Sequence, residues 1–220
     1  MRAVEKYDCP LHLNVTECDA GWVYLDMKYN DVHIVFNISE IALGHHFSAL
    51  LEAIQVFHEL ENGYDGLLHI DVERADNVIN KFGESWDLVP VKASFFWDEE
   101  PAFDEWMIEQ NPTDFGEPNF TAKVTILLKC RQGQEDKKIS MDIKYRDLCY
   151  ASAKCFTECL KKYGFKGFNS CSYGDDINIR QLLIIKAFAL GLIGNENGLN
   201  IDNHYDLSFD EEIELLLMDM

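Results

Sequence analysis

The stretch VHIVFNISEIALGHHFSALLEAIQVFHELENGYDGLLHIDV, Val32 to Val72, decides the reading of the fold. Val32, Ile34, Phe36 and Ile38 recur at every second position, which puts them on one face of a strand. Leu43, Phe47, Leu50, Leu51, Ile54 and Phe57 then recur at three- and four-residue spacing, the buried stripe of a helix, with Ser48, Glu52, Gln55 and Glu59 outside it. Asn37 or Ser39 can cap that helix, and Asn62-Gly63 ends it. Leu67 to Glu73 alternates again. A helix between two strands of one sheet implies a parallel, right-handed crossover, so this second strand is expected beside an earlier one.

The same pattern recurs downstream. Ile139 to Arg146 reads as an alternating strand and Asp147 to Tyr163 as an amphipathic helix, and Gly164-Phe165-Lys166-Gly167-Phe168 repeats the form of Gly63-Tyr64-Asp65-Gly66-Leu67. The expected fold class is therefore α+β, a two-layer helix-on-sheet sandwich built from a tandem β-β-α-β repeat, with halves at 1–112 and 113–220 able to form one continuous domain and one continuous sheet.

Around the repeats, residues 1–10 read as a loose start, and Leu11, Leu13 and Val15 mark a first strand. Trp22 to Tyr29 pairs with the Val32 strand around Asn30-Asp31. Residues 74–90 read as irregular or weakly helical and Val91 to Trp97 as a strand. Asp98-Glu99-Glu100-Pro101 has the form of a helix start, with proline at the first helical position and carboxylates at the positive end of the dipole. That helix should stop before Asn111-Pro112, with Thr113 to Asn119 as a linker. Ala122 to Cys130 is a strand, Ile179 to Leu192 a helix apolar nearly all round, and Ser208-Phe209-Asp210-Glu211 a capping box opening a last acidic helix.

The formal net charge is −20, unevenly placed: residues 1–122 carry −18, residues 123–186 carry +6 and residues 187–220 carry −8. Fields of this size repel nucleic acid and anionic membranes and attract cationic partners, so direct nucleic-acid binding is not expected. Seven cysteines form no Cys-x-x-Cys, and the N-terminus lacks an apolar signal core. The longest apolar run, Leu182 to Ile193, is too short for a bilayer, which takes about 20 residues. A cytoplasmic, membrane-free protein is the expectation.

Asp98 to Glu117 concentrates eight carboxylates and no basic residue, with Phe103, Trp106 and Met107 on one face of the expected helix. Asp98, Glu99, Glu100, Asp104, Glu105, Trp106 and Glu109 are the candidate partner-binding set: carboxylates to steer and hold a basic protein, an aromatic to anchor it. The same run also suits a solvated helix, and the basic neighbour it needs could be the +6 block of the same chain.

His69, Asp71 and Glu73 share one strand face and are the weak candidates for Zn²⁺ or Mn²⁺, with His45 or His46 as outside ligands, although polar alternation is also the ordinary solvent face of a strand. Cys9, His12 and Cys18 match no firm zinc spacing. Cys155 and Cys159 lie one turn apart on an apolar stripe, as core residues. The two Gly-x-x-Gly runs follow helices and read as helix stops, whereas a phosphate cradle leads into one. No Walker, Rossmann, EF-hand, HExxH or GxSxG pattern is present, so neither a cofactor nor catalysis is expected.

The reading that follows is an acidic cytosolic protein-binding module that blocks or sequesters a basic partner protein, in the manner of an inhibitor or immunity protein against a nuclease-like toxin. The alternatives are a metal-dependent hydrolase centred on His69, Asp71 and Glu73, and a structural or assembly subunit using sheet edges and the C-terminal helix.

Overall fold

The computed structural model describes residues 6–19, 22–39, 43–58, 71–79, 83, 85–98, 103–115, 119–129, 135–169, 179–192 and 207–220. These form a mixed α+β fold with two antiparallel sheets and four α-helices. The first sheet holds β1 (Leu11–Asp19), β2 (Trp22–Tyr29) and β3 (Val32–Ser39) in that order. The second holds β4 (Asp71–Ile79), β5 (Ser85–Asp98), β6 (Phe103–Gln110), β7 (Thr121–Leu128) and β8 (Lys137–Lys144), also in chain order. The helices are α1 (Leu43–Gln55), α2 (Tyr145–Asn169), α3 (Ile179–Ala189) and α4 (Phe209–Leu217).

The local patterns hold where they were strongest. Leu25, Phe36 and Ile38 are buried on one face of the first sheet, and Asn30 turns the β2–β3 hairpin at φ 51°, a left-handed conformation that asparagine tolerates. Phe47, Leu50, Leu51 and Ile54 bury the inner stripe of α1. Ser208 and Glu211 close the expected capping box at the start of α4. Gly164 breaks helical geometry at φ 67°, as a helix stop does.

Connectivity differs from expectation. No strand pair among the described residues is parallel: β3 lies in one sheet, whereas β4, after α1, lies in the other and runs antiparallel to β5. The crossover expectation assumed that the chain returns to the sheet it left; periodicity says which face a strand buries but not which sheet it joins. The two sheets replace the expected continuous one, and of the repeat the described residues show two ββα runs, β2-β3-α1 and β7-β8-α2. Residues 67–70 and 170–178, where parts of the repeat were read, lie outside the described residues.

The segment read as irregular, 74–90, supplies most of β4 and the start of β5. Its irregularity is local: the register shifts between Glu73 and Arg74, opposite Pro90, and a bulge is where a strand accepts proline. The acidic run also departs from expectation. Residues 103–110 form β6, the central strand of the five, not a helix. Asp104, Trp106, Ile108 and Gln110 turn inward while Glu105, Met107 and Glu109 turn outward, a period of two that overrides the helix-start signal of Pro101. Position 112/113 falls inside this sheet, because β6 and β7 are neighbouring strands on either side of it.

Both sheets contribute to one core. Phe36 of β3 meets Trp97 of β5 edge-on at 5.1 Å and Trp106 of β6 at 5.3 Å, and Phe47 of α1 lies between Trp97 and Phe156 of α2. α3 is buried nearly all round, as its composition required, and even Lys186 is fully buried. Its ammonium donates to the carbonyls of Leu216 (3.1 Å) and Met218 (2.6 Å), satisfying the C-terminal end of α4 and fastening it to α3. Burial pulls the Lys186 pKa down to about 8, and repulsion from Lys161 adds to this.

Residues 7–10, expected to be loose, are fastened to α2. Tyr7 donates to Asp147 at 2.5 Å, and the Arg146 guanidinium lies 4.3 Å from its ring centre. The Cys9 thiol reaches the carbonyls of Leu11 and Asp147.

Candidate partner-binding face

Strand register sorts the predicted set into three groups, and of its carboxylates the described residues place Glu105 and Glu109 on the outer face of the five-stranded sheet. Glu109 lies between Lys92 of β5 and Lys123 of β7; Lys92 also faces Glu73 of β4, and Lys123 faces Asp142 of β8. One row across all five strands therefore alternates Glu73, Lys92, Glu109, Lys123, Asp142. Cross-strand opposite charges stabilise a sheet by roughly 0.2–1 kcal/mol per pair. The Lys92 ammonium sits 3.0 Å from Glu73, and that hydrogen bond, with the fields of Glu73, Glu109 and Asp71, holds the Lys92 pKa above its ordinary value. Part of the acid of the run is thus neutralised inside the molecule.

Asp104 and Trp106 form the second group. They point into the core: Trp106 is fully buried, with ring centres 4.7 Å from Trp97 and 5.7 Å from Phe95, and Asp104 is buried beside it on the same face. Trp106 is therefore a core residue and not a surface anchor, because β6 is a strand and its even-numbered residues face the core shared with β3.

The third group lies at the β5–β6 hairpin end. Glu105 stands between Phe96 of β5 and Leu127 of β7 on the outer face, and Asp98 pairs with Phe103 where the hairpin closes. Glu99 and Glu100 lie in the connection, outside the described residues. Phe96 and Phe103 pack edge to face at 5.3 Å, and both keep more than 40% of their surface exposed, 43% and 44%. Half-buried Met107 extends the apolar surface toward the charged row. Phe103 belongs to the acidic run named from the sequence and Phe96 does not; together they form the exposed aromatic surface of this hairpin end. The sequence signal is Phe95-Phe96-Trp97: three consecutive aromatics in a strand cannot share one face, so the middle ring lies opposite its two neighbours.

Of the metal candidates, His69 lies outside the described residues, while Asp71 and Glu73 are exposed on the outer face of β4. Glu73 faces the Lys92 ammonium, which competes electrostatically with any cation there. Among the described residues no group of three or more histidine, cysteine or carboxylate side chains converges as metal ligands. The described thiols at Cys9, Cys149, Cys155 and Cys159 are buried and free. Burial pushes Cys9 up to about 11; a hydrogen bond with Cys155, with burial adding to it, raises Cys159 as well, so both are held as thiols at neutral pH. His45, His46 and Cys18 have no described side-chain environment.

No helix among the described residues is long and apolar enough to cross a membrane. The sequence matches no protein-family model, no curated protein and no solved structure.

Proposed function

We propose that the protein is a non-catalytic, acidic protein-binding module that occupies a basic surface of a partner protein through the end of its β5–β6 hairpin. The observation that carries this reading is the exposed Phe96–Phe103 pair beside Glu105, on a chain of net charge −20. An exposed aromatic cluster with a charged rim has the composition of an interface hot spot, and the long-range field favours a cationic partner. Inhibitor or immunity proteins that cover the phosphate-binding surface of a nuclease-like toxin are the class of activity this combination fits. The free buried thiols agree with a reducing, cytoplasmic setting. β2-β3-α1 and β7-β8-α2 are the two copies we read as the internal repeat.

The test is affinity capture from the host lysate at low salt, with a salt-step eluate identified by mass spectrometry and the captured protein assayed for inhibition. A basic protein released by salt, whose activity falls on adding the module, supports the reading. An on-rate that does not change with ionic strength contradicts it.

A second reading rests on the charged row: some of the acid serves the fold. Glu109 and Glu73 belong to that reading, because each has a lysine directly opposite. Mutation separates them from the hairpin end: Glu109→Lys should lower stability, whereas Phe96→Ala should lower partner binding.

A further inference from the structure

α4 turns most of its apolar surface away from the core it packs on. At 3.6 residues per turn, Phe209, Ile213 and Leu217 fall within an arc of roughly 80°, and Leu215 lies roughly 160° from Ile213. Leu215 is fully buried, whereas Phe209, Ile213 and Leu217 keep 73%, 39% and 61% of their surface exposed. A surface helix ordinarily turns its apolar stripe inward. Here Leu215, Leu216 and the capping Met218 make the inward contact, and a second stripe faces solvent.

Both ends of the helix are fixed in that orientation. Ser208 and Glu211 close the capping box at its start, and at its end the Lys186 ammonium donates to the carbonyls of Leu216 and Met218. Turning α4 to hide the stripe would strip a buried ammonium of both acceptors, so the outward face is preorganised.

Charge selects the occupant. α4 holds Asp210, Glu211, Glu212 and Glu214 and no basic residue, and residues 187–220 contain no lysine or arginine. Glu211 serves the cap, and Asp219 pairs with Lys161 beyond the end of the helix, so neither counts toward a partner. Asp210 and Glu212 flank the stripe on opposite sides. Among the described residues no lysine or arginine pairs with either. Two copies of the stripe laid together would set carboxylates against carboxylates. A helix that lies on a membrane carries lysine and arginine on its polar face, which α4 lacks.

We infer that α4 docks an amphipathic helix of a partner protein, whose apolar residues at three- and four-residue spacing cover Phe209, Ile213 and Leu217 and whose lysine or arginine flanks meet Asp210 and Glu212. Nine residues of helix are about 13.5 Å long, which suits a weak, reversible contact. The stripe is no part of the β5–β6 hairpin and does not depend on that reading.

The test measures binding of the full chain to three labelled synthetic peptides by fluorescence anisotropy at low salt. The first has leucine at the a and d positions of three heptads and lysine at e and g; the second has glutamate in place of those lysines; the third keeps the lysines and scatters the leucines around the helix. The lysine-flanked peptide should bind at least roughly tenfold more tightly than either of the others. Phe209→Ser with Leu217→Ser, both exposed positions, should weaken that binding roughly tenfold or more. Asp210→Lys with Glu212→Lys leaves the stripe intact, so it reads the same site should the serine variant loosen α4; it should weaken the lysine-flanked peptide roughly fivefold and strengthen the glutamate-flanked one. Phe96→Ser with Phe103→Ser should change neither. Four results would overturn the inference: no binding of the lysine-flanked peptide, equal binding of the lysine- and glutamate-flanked peptides, binding indifferent to both α4 variants, or a dimer of the chain, seen by sedimentation, that the serine variant abolishes.

Discussion

Two neighbouring hairpins of the same sheet close at the same end of it and differ in the charge and the aromatic residues of their sequences. The β5–β6 hairpin carries Asp98, Glu99, Glu100 and Glu105 with the open Phe96–Phe103 pair. The β7–β8 hairpin carries Lys129, Arg131, Lys137 and Lys138, and Lys129 already pairs with Asp136 of its own turn at 2.9 Å. Leu127 and Lys138 continue the row of Phe96 and Glu105, so the basic segment of the chain sits within two strands of the acidic one. The contrast separates two uses of charge. Carboxylates placed opposite lysines are part of the fold's own electrostatics, whereas the hairpin end combines charge with exposed aromatic surface that the fold does not bury.

The largest effect expected from breaking that contrast falls on the hairpin's buried side. Trp106→Ala should cost about 3–5 kcal/mol in denaturant-induced unfolding, because it empties a fully enclosed aromatic site. A cost under about 1 kcal/mol would mean that the outward and inward faces of β6 are wrongly assigned.

Glu52 of α1 sharpens the comparison from the interior, since it is a carboxylate with Gln181, not a lysine, as its hydrogen-bonding neighbour. Burial raises its pKa from 4.5 to about 7, despite the hydrogen bond from Gln181. A folded-state pKa above the unfolded value means that the unfolded chain releases the proton first. The stability associated with neutral Glu52 is complete below about pH 4.5 and is lost as pH rises through about 7. Glu52→Gln should remove this dependence and raise stability at pH 8 by about 2–3 kcal/mol, measured as the difference between the two pH–stability curves.

At the hairpin end, Phe96→Ala or Phe103→Ala should weaken partner binding by about 2 kcal/mol, yet cost about 1 kcal/mol or less in unfolding, since the rings are half open. The smallest effect belongs to the charged row. Glu109→Lys, which sets three lysines side by side, should destabilise by about 1 kcal/mol, whereas Glu105→Lys, with Phe96 and Leu127 as neighbours, should stay within about 0.5 kcal/mol. Added salt should shrink the Glu109 effect.

How legible the molecule was in its sequence follows from the range of each signal. Alternation and helical spacing located β1, β3, α1, α2, α3 and α4 because they report which side chains of one element face the core. They carry nothing about which sheet the chain enters next, and β4 accordingly joined the second sheet instead of a parallel pair with β3. At residues 103–110 two local signals compete. Pro101 after three carboxylates is a helix start, while Asp104 to Gln110 alternates, and pairing on both sides by β5 and β7 favoured the strand. The site follows the same competition: a helix would set Trp106 on one face with Phe103 and Met107, whereas the strand buries Trp106 and leaves Phe96 and Phe103 outside.

The most direct test of the central claim compares wild-type protein with a Phe96→Ser, Phe103→Ser double variant as baits for the same lysate at low salt, each checked for unchanged thermal unfolding. The account predicts a basic protein retained by the wild type, released by a salt step and absent from the folded variant's eluate. The same protein retained equally by both baits would contradict it and leave the hairpin end without a binding role.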